Sequence, residues 1–415
     1  MTEPARATAT QSDDPRGWIV VGALFLMLSV VIAGRSSLGL MMPFWKEDMG
    51  WSYGDISTAG AVMMVVMAAT APAAGLLIDR YGPRIIYGFG MTLIAVVFIL
   101  CSYMDAQWQL IAWFSILGGI GFAVISPSLV SATVAQFFDR KIGLATSIAT
   151  AGSTGGQLAL MPLLGFLVVG ISWRPSFVVV GSVILATLVV VQLLIRGRPA
   201  PGRHAGAKRA AGPAKTVVAG LLRDRTFWLL SGGFFICGFT TVGVVKVHLI
   251  PYADLCGFPP LEGTFAYGVL SGFSLAGMLV FGHLADRFNR PVLLASIYFL
   301  RALTFILLMN IAGSETTLYL FAILFGLFDY GTFPIVASLV ASHIGRHVMG
   351  ISMGLIFASH SLGGALGTFL GGYLFELFNR YDWVWIVSLG LAVIAGLLSL
   401  MIREDRGGAP VPQAA

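Results

Sequence analysis

Hydrophobic and polar positions follow one another along this chain in long blocks. Apolar runs of about twenty residues recur from residue 18 onward and are separated by short polar breaks. A helix needs that length to cross a bilayer, whereas a membrane β-strand would show about ten residues of alternating polarity. The runs predict twelve transmembrane helices, over residues 18–42, 54–78, 85–104, 108–137, 142–169, 173–195, 226–252, 260–284, 291–311, 316–343, 348–375 and 382–403.

Composition supports a membrane protein. Hydrophobic residues make up 57% of the 415 residues, charged residues 11%, and the mean hydropathy is +0.88. So few polar groups do not cover the surface of a soluble domain of this size. In lipid every backbone N–H and C=O needs an internal partner, so we expect an all-α membrane fold.

The longest polar interval, residues 196–225, contains eight Lys and Arg residues among Pro, Gly and Ala. It predicts a cytoplasmic basic linker between two six-helix bundles, 18–195 and 226–403, with tails at 1–17 and 404–415. If the N-terminus is cytoplasmic, 19 of the 25 cations fall in cytoplasmic segments, three outside and three within helices. This asymmetry follows the positive-inside rule and predicts a multi-pass inner-membrane protein with both termini in the cytoplasm.

A short motif of glycine, aspartate and arginine occurs once in each half. Its copies are Gly75, Asp79, Arg80, Gly82 and Arg84 after the second predicted helix, and Gly282, Asp286, Arg287 and Arg290 after the eighth. Glycine permits close helix approach, aspartate can accept from amides at a helix start, and the arginines suit the cytoplasmic surface. We therefore expect a gating brace here, and the repeat itself is typical of transporters built from related halves.

The first copy, GLLIDRYGPR, resembles the signature of the major facilitator superfamily, and GHLADRFNR is a degenerate version of it. Residues 137–152, FFDRKIGLATSIATAG, followed by Gly156, resemble the monocarboxylate transporter signature. The cluster DPRGW at 14–18 is similar to one that precedes the first helix in that family, and oxalate/formate antiporters share the general pattern. The resemblance implies two pseudo-symmetric six-helix bundles with a central cavity and secondary transport of a monocarboxylate.

Ionisable side chains at bilayer depth are the candidate functional residues. Each costs at least about 2.5 to 3.5 kcal/mol to insert, so each needs a partner or a water-filled cavity. The expected substrate-binding residues are Arg35, Lys246, His248, Arg301 and His360, and the expected proton-coupling residue is Asp329.

Lys246 lies near the outer end of helix 7, the pseudo-symmetric counterpart of helix 1, so we expect Arg35 and Lys246 to face one another across the cavity mouth. The resemblance implies that helix 1 borders the cavity, where Arg35 can grip a carboxylate, although an arginine there can also snorkel to the outer interface. Lys246 and His248 are two residues apart and point in different directions, so they do not both line the cavity.

Arg301 and Asp329 fall near the midplane on neighbouring antiparallel helices. Two interpretations stay open: a buried structural ion pair, or a coupling site in which Asp329 takes up a proton and releases Arg301 to the substrate. His360 precedes glycines at 363, 367 and 371, and is either a cavity donor or a packed hydrogen-bonding residue.

Other positions are expected to serve packing. Gly152, Gly156 and the adjacent Gln157 suit close helix contact, and Pro127 and Pro334 suit kinks. Characterised monocarboxylate transporters carry Asp and Arg one turn apart in helix 8, but residues 274–278 have neither. The membrane arginine of the second half is Arg301 instead.

Enzyme chemistry is not supported. Residues 350–354 read GISMG, formally a GxSxG motif, but they open a predicted helix and follow no strand. The sequence contains no HExxH, no Walker motif and no metal-like cysteine spacing, so we expect no cofactor, no metal and gradient-driven transport.

Three membrane cations against one carboxylate favour a small organic anion as substrate, carried with protons. We expect lipid contacts, no nucleic-acid partner and a monomer. An oxalate/formate-type exchanger and an efflux or vitamin carrier for a larger aromatic solute remain alternatives.

Overall fold

A computed structural model of the chain describes residues 16–134, 137–138, 142–195, 214–345 and 348–404. Within these residues, twelve helices are long and apolar enough to span a membrane, which confirms the predicted number. They are α1 Gly17–Met49, α2 Tyr53–Ile78, α3 Pro83–Cys101, α4 Gln107–Val134, α5 Leu144–Ile171, α6 Trp173–Leu194, α7 Arg225–Leu255, α8 Pro260–Ala285, α9 Arg290–Leu308, α10 Glu315–Gly345, α11 Ile351–Phe378 and α12 Asp382–Leu400.

Two features differ from the prediction by more than three residues. Helix α1 continues past residue 42 to Met49 because Trp45, near its end, is fully buried against Trp173. The indole N–H of Trp173 also donates to Asp48 Oδ2 at 2.6 Å. A short helix, Ala214–Leu221, lies inside the predicted linker. Residues 1–15, 196–213 and 405–415, which make up most of the predicted tails and linker, lie outside the described residues.

Helices α4, α7 and α10 each depart from regular α-helix. The π-helical segments are Leu110–Leu117, Gly238–Val245 and Val340–Gly345. Helix α4 breaks immediately before Pro127, and α10 breaks at Tyr330–Gly331, three residues before Pro334. Proline supplies no N–H and often kinks or breaks a helix, and the breaks at Pro127 and Pro334 confirm the kinks predicted there.

The same glycine packing joins α1 to α5 in the first half and α7 to α11 in the second. A Cβ at any of four glycines would fall on a main-chain carbonyl group of the facing helix. These contacts are Gly152 with Phe25, Gly156 with Ser29, Gly363 with Phe235 and Gly367 with Phe239. The predicted role of these glycines in close helix contact is therefore confirmed.

Gly156→Ala is expected to lower the thermal unfolding midpoint of the detergent-purified protein. The added methyl group meets rigid main chain of α1, and overpacking of this kind costs about 1 to 3 kcal/mol. Gly170→Ala, in the same helix, is the matched control because a methyl group at that position would have no neighbour within 4 Å. Equal midpoints for the two variants would contradict this account of the α1–α5 contact.

An even number of spans puts the start of α1 and the end of α12 on one face of the bundle, here called the terminal face. At the other face the two halves touch through α1–α7, α2–α11 and α5–α8. The Gly54 N–H donates to Glu376 Oε1 at 2.8 Å, and Lys46 Nζ lies 4.7 Å from the Tyr53 ring and 5.9 Å from that of Phe375. The bundle is therefore closed at the face opposite the termini.

Toward the terminal face α2 becomes exposed. Residues 71–73 of α2 are exposed in succession, which places exposed side chains on most sides of that helix. The half of α2 near Tyr53 and Ile56 is instead buried. The cavity between the halves therefore opens toward the termini.

The repeated motif makes no bridge between the halves in this conformation, as far as its described side chains show. Arg80 and Arg287 are exposed, and the side chain of Asp79 lies outside the described part of the chain. Arg84 pairs with Gln192 of its own half, donating from Nε at 3.1 Å. A gating brace at a closed terminal face stays a prediction.

Two physical expectations for this motif are wrong: close approach at the two glycines, and a helix-start contact of Asp286. Methyl groups at Gly75 and Gly282 would lie no closer than 3.9 and 3.7 Å to their nearest neighbours, so neither glycine is required by close approach. Asp286 is exposed at the end of α8, and the start of α9 is capped by Asn289, whose Oδ1 accepts from Val292 N at 3.0 Å.

Candidate functional site

A small cavity lies between the two halves, near the middle of the helices. It measures about 30 Å³, room for about two water molecules. Its wall contains both polar and apolar side chains. The lining residues are Arg35, Ser36, Leu38 and Gly39 of α1, Met63 and Met64 of α2, Gln157 of α5, Val242, Lys246 and Val247 of α7, and Tyr267 of α8.

Arg35 is a half-buried cation on the cavity wall. Among the described residues its guanidinium forms no ion pair or hydrogen bond, and its electrostatic neighbours are the phenols of Tyr267 and Tyr330. A guanidinium offers two parallel donors to a carboxylate. The geometry therefore gives Arg35 the position expected of an anion anchor, away from the outer interface.

Lys246 and Asp329 form the buried ion pair of the site. Lys246 Nζ lies 2.8 Å from Asp329 Oδ2, and the two side chains are only 8% and 4% exposed. The same carboxylate oxygen accepts from Ser274 Oγ at 3.1 Å, and the ammonium lies 4.5 Å from the centre of the Tyr330 ring. Lys246 lines the cavity, so the pair connects the cavity wall to α10.

The expected pair between Arg301 and the Asp329 carboxylate is wrong. Arg301 is fully buried, and its Nη2 donates to the main-chain carbonyls of Phe328 and Asp329, the latter at 3.0 Å. Its Nη1 donates to the Cys237 sulfur at 3.2 Å. Because α10 breaks just after Asp329, free carbonyl groups point toward Arg301 while the carboxylate points toward α7. Arg301 does not line the cavity.

The two histidines also lie away from the cavity. His248 is fully buried, and its ring nitrogens contact Tyr381 OH at 3.0 Å and the Thr368 carbonyl at 3.2 Å. His360 packs on Phe234, with ring centres 4.8 Å apart. Neither imidazole lines the cavity, so in this conformation their geometry fits packing and hydrogen bonding better than substrate contact.

Ser36, Gln157 and Tyr267 line the cavity, and together with Ser271 they form a network of neutral polar side chains that was not among the predicted site residues. Gln157 Nε2 donates to Ser36 Oγ at 2.7 Å and to Tyr267 OH at 3.3 Å, while Ser271 donates to Gln157 Oε1 at 3.3 Å. Tyr267 also donates to Ser36 at 3.2 Å. This network joins α1 and α5 of one half to α8 of the other. The sequence showed Gln157 as an amide within an apolar run, but the neighbouring glycines indicated a packing position rather than a cavity residue.

No group of three or more His, Cys, Asp or Glu suited to a metal ion occurs among the described residues. Cys101 and Cys237 are buried and Cys256 is partly exposed, all as free thiols. The site thus consists of two cations, one carboxylate and a neutral hydrogen-bonding network. Such a set can bind an anion and exchange a proton.

A family model described as Major Facilitator Superfamily matches residues 24–368 and 273–415. The chain belongs to this superfamily. Its members are membrane transporters, so the chain is a transporter rather than an enzyme.

Proteins of similar sequence are also named as transporters. The uncharacterized MFS-type transporter YcxA of Bacillus subtilis (strain 168) is 28% identical over 397 residues, covering 93% of this chain and 96% of that protein. Monocarboxylate transporter 11 of Homo sapiens is 27% identical over 401 residues, with 92% and 81% coverage. Monocarboxylate transporter 3 of Rattus norvegicus is 25% identical over 403 residues, with 94% and 81% coverage.

Solved structures share the fold. A bacterial homolog to the human lysosomal transporter Spinster, in an inward-facing and unoccupied conformation, superimposes with a TM-score of 0.77 at 15% identity, covering 94% of this chain and 97% of that chain. A D-xylose-proton symporter gives a TM-score of 0.71 at 14% identity, with 93% and 96% coverage. These likenesses confirm the twelve-helix transporter fold.

Proposed function

We propose that this transporter moves a small monocarboxylate across the inner membrane together with a proton, by alternating access of a site between its two halves. The observation that carries the proposal is Arg35, a cation on the cavity wall with no carboxylate partner among the described residues. Similarity to monocarboxylate transporters of mammals supports the substrate class.

The charges of the site favour one negative charge on the substrate. Asp329 compensates Lys246, and Arg301 contacts the partly negative carbonyl end of the first segment of α10. Arg35 is left for the anion. The apolar wall formed by Met63, Met64 and neighbouring side chains suits the hydrocarbon part of a carboxylic acid.

Proton coupling is assigned to Asp329. In its ionised form the carboxylate holds Lys246. One proton added to it leaves a neutral carboxylic acid, and the Lys246 ammonium becomes free to turn to the substrate carboxylate beside Arg35. Release of the anion and of that proton restores the pair. In this proposal, protonation of Asp329 frees Lys246 and not Arg301, the cation expected from the sequence.

The conformation described here fits one end of the cycle. Closure at the face opposite the termini and separation at the terminal face leave the site accessible from the terminal side only. With the terminal face in the cytoplasm, as the distribution of cations favours, this is the cytoplasm-open state. Rocking of the halves would then expose Arg35 to the other side. A site of about 30 Å³ must widen to admit a substrate.

Uptake into proteoliposomes should respond to a pH gradient and not to membrane potential. One proton and one monoanion carry no net charge, whereas each charge moved across 100 mV would be worth about 2.3 kcal/mol. The measurement is uptake of radiolabelled mono- and dicarboxylates with an imposed pH gradient or an imposed potassium diffusion potential.

Protein-free liposomes are the control, because neutral carboxylic acids also permeate lipid. Uptake driven by potential at constant pH would exclude the stoichiometry of one to one. Uptake that requires carboxylate inside the liposomes and does not respond to the pH gradient would instead support the oxalate/formate-type exchanger. If no carboxylate moves, the proposed function is wrong.

A further inference from the structure

The break in α10 lies immediately beside the proposed coupling carboxylate. The first segment ends at Asp329 and the second begins at Thr332. Pro334 has no N–H for the Tyr330 carbonyl, and that carbonyl is instead bonded by Phe333 N at 3.2 Å. The Phe333 N–H is therefore turned from the Asp329 carbonyl, its partner in a continuous helix.

Arg301 of α9 fills this gap. Its Nη2 donates to the carbonyls of both Phe328 and Asp329, and its Nη1 donates to Cys237 of α7. The side chain is completely buried, so water does not compete for these donors. Carbonyl groups at a helix C-terminus carry partial negative charge, which stabilises a cation there.

One residue, Asp329, is thus held at two points. Arg301 holds its main-chain oxygen, while Lys246 and Ser274 hold its carboxylate. Rotation of the broken helix end would move the carboxylate relative to Lys246, and Arg301 opposes that rotation.

We propose that Arg301 is a positioning residue for proton coupling: by clamping the broken end of α10, it sets the geometry of the Asp329–Lys246 pair and hence the pH dependence of transport. The inference rests on the proposed function, in which Asp329 takes the proton. It gives the buried arginine a function in the cycle without contact with the substrate.

Several charged and titratable groups surround Asp329, and a test of Arg301 must distinguish its effect from theirs. Charged neighbours are Lys246 from α7 and Arg301 from α9. The phenols of Tyr267 on α8 and Tyr330 on α10 lie close to Lys246, and Arg35 of α1 is near the same phenols. Only Arg301 among these cations contacts the main chain at the break, so its substitution changes the clamp while Lys246 and Arg35 stay in place.

The test is the pH profile of carboxylate uptake by Arg301→Gln and Arg301→Lys in proteoliposomes. Glutamine removes the charge and one of two donor groups, so the midpoint of the profile is expected to move to higher pH by about one unit. Lysine keeps the charge but not the fork of donors, so we expect a smaller shift in the same direction. Arg380→Lys, at the face opposite the termini, is the matched control and should not move the midpoint.

The same substitutions in an Asp329→Asn background distinguish the two proposals. Asp329→Asn should flatten the profile, and Arg301 variants should then cause no further shift. If Asp329→Asn keeps the wild-type profile, the coupling role of Asp329 is wrong. If it flattens the profile while folded Arg301 variants lower uptake equally at every pH, Arg301 is only structural and the inference is overturned.

Folding is checked by the thermal unfolding midpoint of each purified variant. Should both Arg301 variants fail to fold, Cys237→Ala decides, because it removes the Nη1 acceptor and leaves the arginine in place. A shift of the pH midpoint to higher pH by less than the roughly one unit expected for loss of the Arg301 charge supports the clamp. An unchanged profile in this variant overturns it.

Discussion

Arg35→Ala is expected to weaken carboxylate binding strongly and, with it, to lower carboxylate uptake. Arg35 is the cation of the cavity that no described carboxylate compensates. Hydrogen bonds to charged groups are worth about 1.5 to 3 kcal/mol, so its loss should weaken affinity by roughly tenfold to a hundredfold. Arg35→Lys should retain part of the affinity, because the charge stays but the bidentate geometry is lost.

The measurement is the ligand-induced rise of the thermal unfolding midpoint in detergent. A ligand at about one hundred times its dissociation constant stabilises the native state by about 2.7 kcal/mol, and a tenfold to hundredfold loss of affinity removes about half or more of that stabilisation. Arg380→Ala is the control, since Arg380 pairs with Asp382 at the surface opposite the termini. Should Arg35→Ala bind carboxylates as the wild type does, the anion anchor lies elsewhere and Lys246 becomes the next candidate.

The helices and their packing could be predicted because their causes are local. Twenty apolar residues must span the bilayer whatever surrounds them, and the glycines at 152 and 156 are one turn apart on one face of α5. A main-chain contact at such positions follows from the absence of a Cβ. Length and the spacing of the glycines therefore predicted twelve helices and a close helix contact at Gly152 and Gly156, but not that α1 is the partner.

The partner of each buried charge could not be predicted in the same way. Arg301 and Asp329 have the right depth to pair, yet the break at Tyr330–Gly331 directs carbonyl groups to Arg301 and the carboxylate to Lys246. The proline that causes the break was visible in the sequence. The direction in which the carboxylate would then point depends on three helices at once.

The neutral polar residues of the site were even harder to predict from the sequence than the partners of the buried charges. A buried amide or phenol in a helix costs little when it is hydrogen-bonded, so nothing in the sequence separates Gln157 and Tyr267 from ordinary packing positions. Their role at the cavity depends on the approach of α5 to α8, a contact between the two halves. Long-range contacts of this kind leave no periodicity in either helix.

Breaking the Lys246–Asp329 pair from either side is expected to destabilise the protein more than any surface substitution. Lys246→Met leaves an uncompensated buried carboxylate, and Asp329→Leu an uncompensated buried ammonium, at a cost of about 3 to 5 kcal/mol each. The double variant should recover most of that loss, because two apolar side chains of similar volume need no partner. Arg380→Ala, which breaks an exposed pair, should cost about 1 kcal/mol or less.

The double-mutant cycle is measured by the thermal unfolding midpoints of the wild type, the two single variants and the double variant, with Arg380→Ala as the control. Uptake assays of the same proteins then show whether the pair also serves transport. Losses that simply add in the double variant would show that the two side chains do not interact, contrary to the 2.8 Å contact. A double variant as stable as the wild type but unable to couple uptake to a pH gradient would mean that the pair is kept for transport. A buried pair that adds no net stability can still control when Lys246 is free, because the state of Asp329 decides whether that cation is compensated.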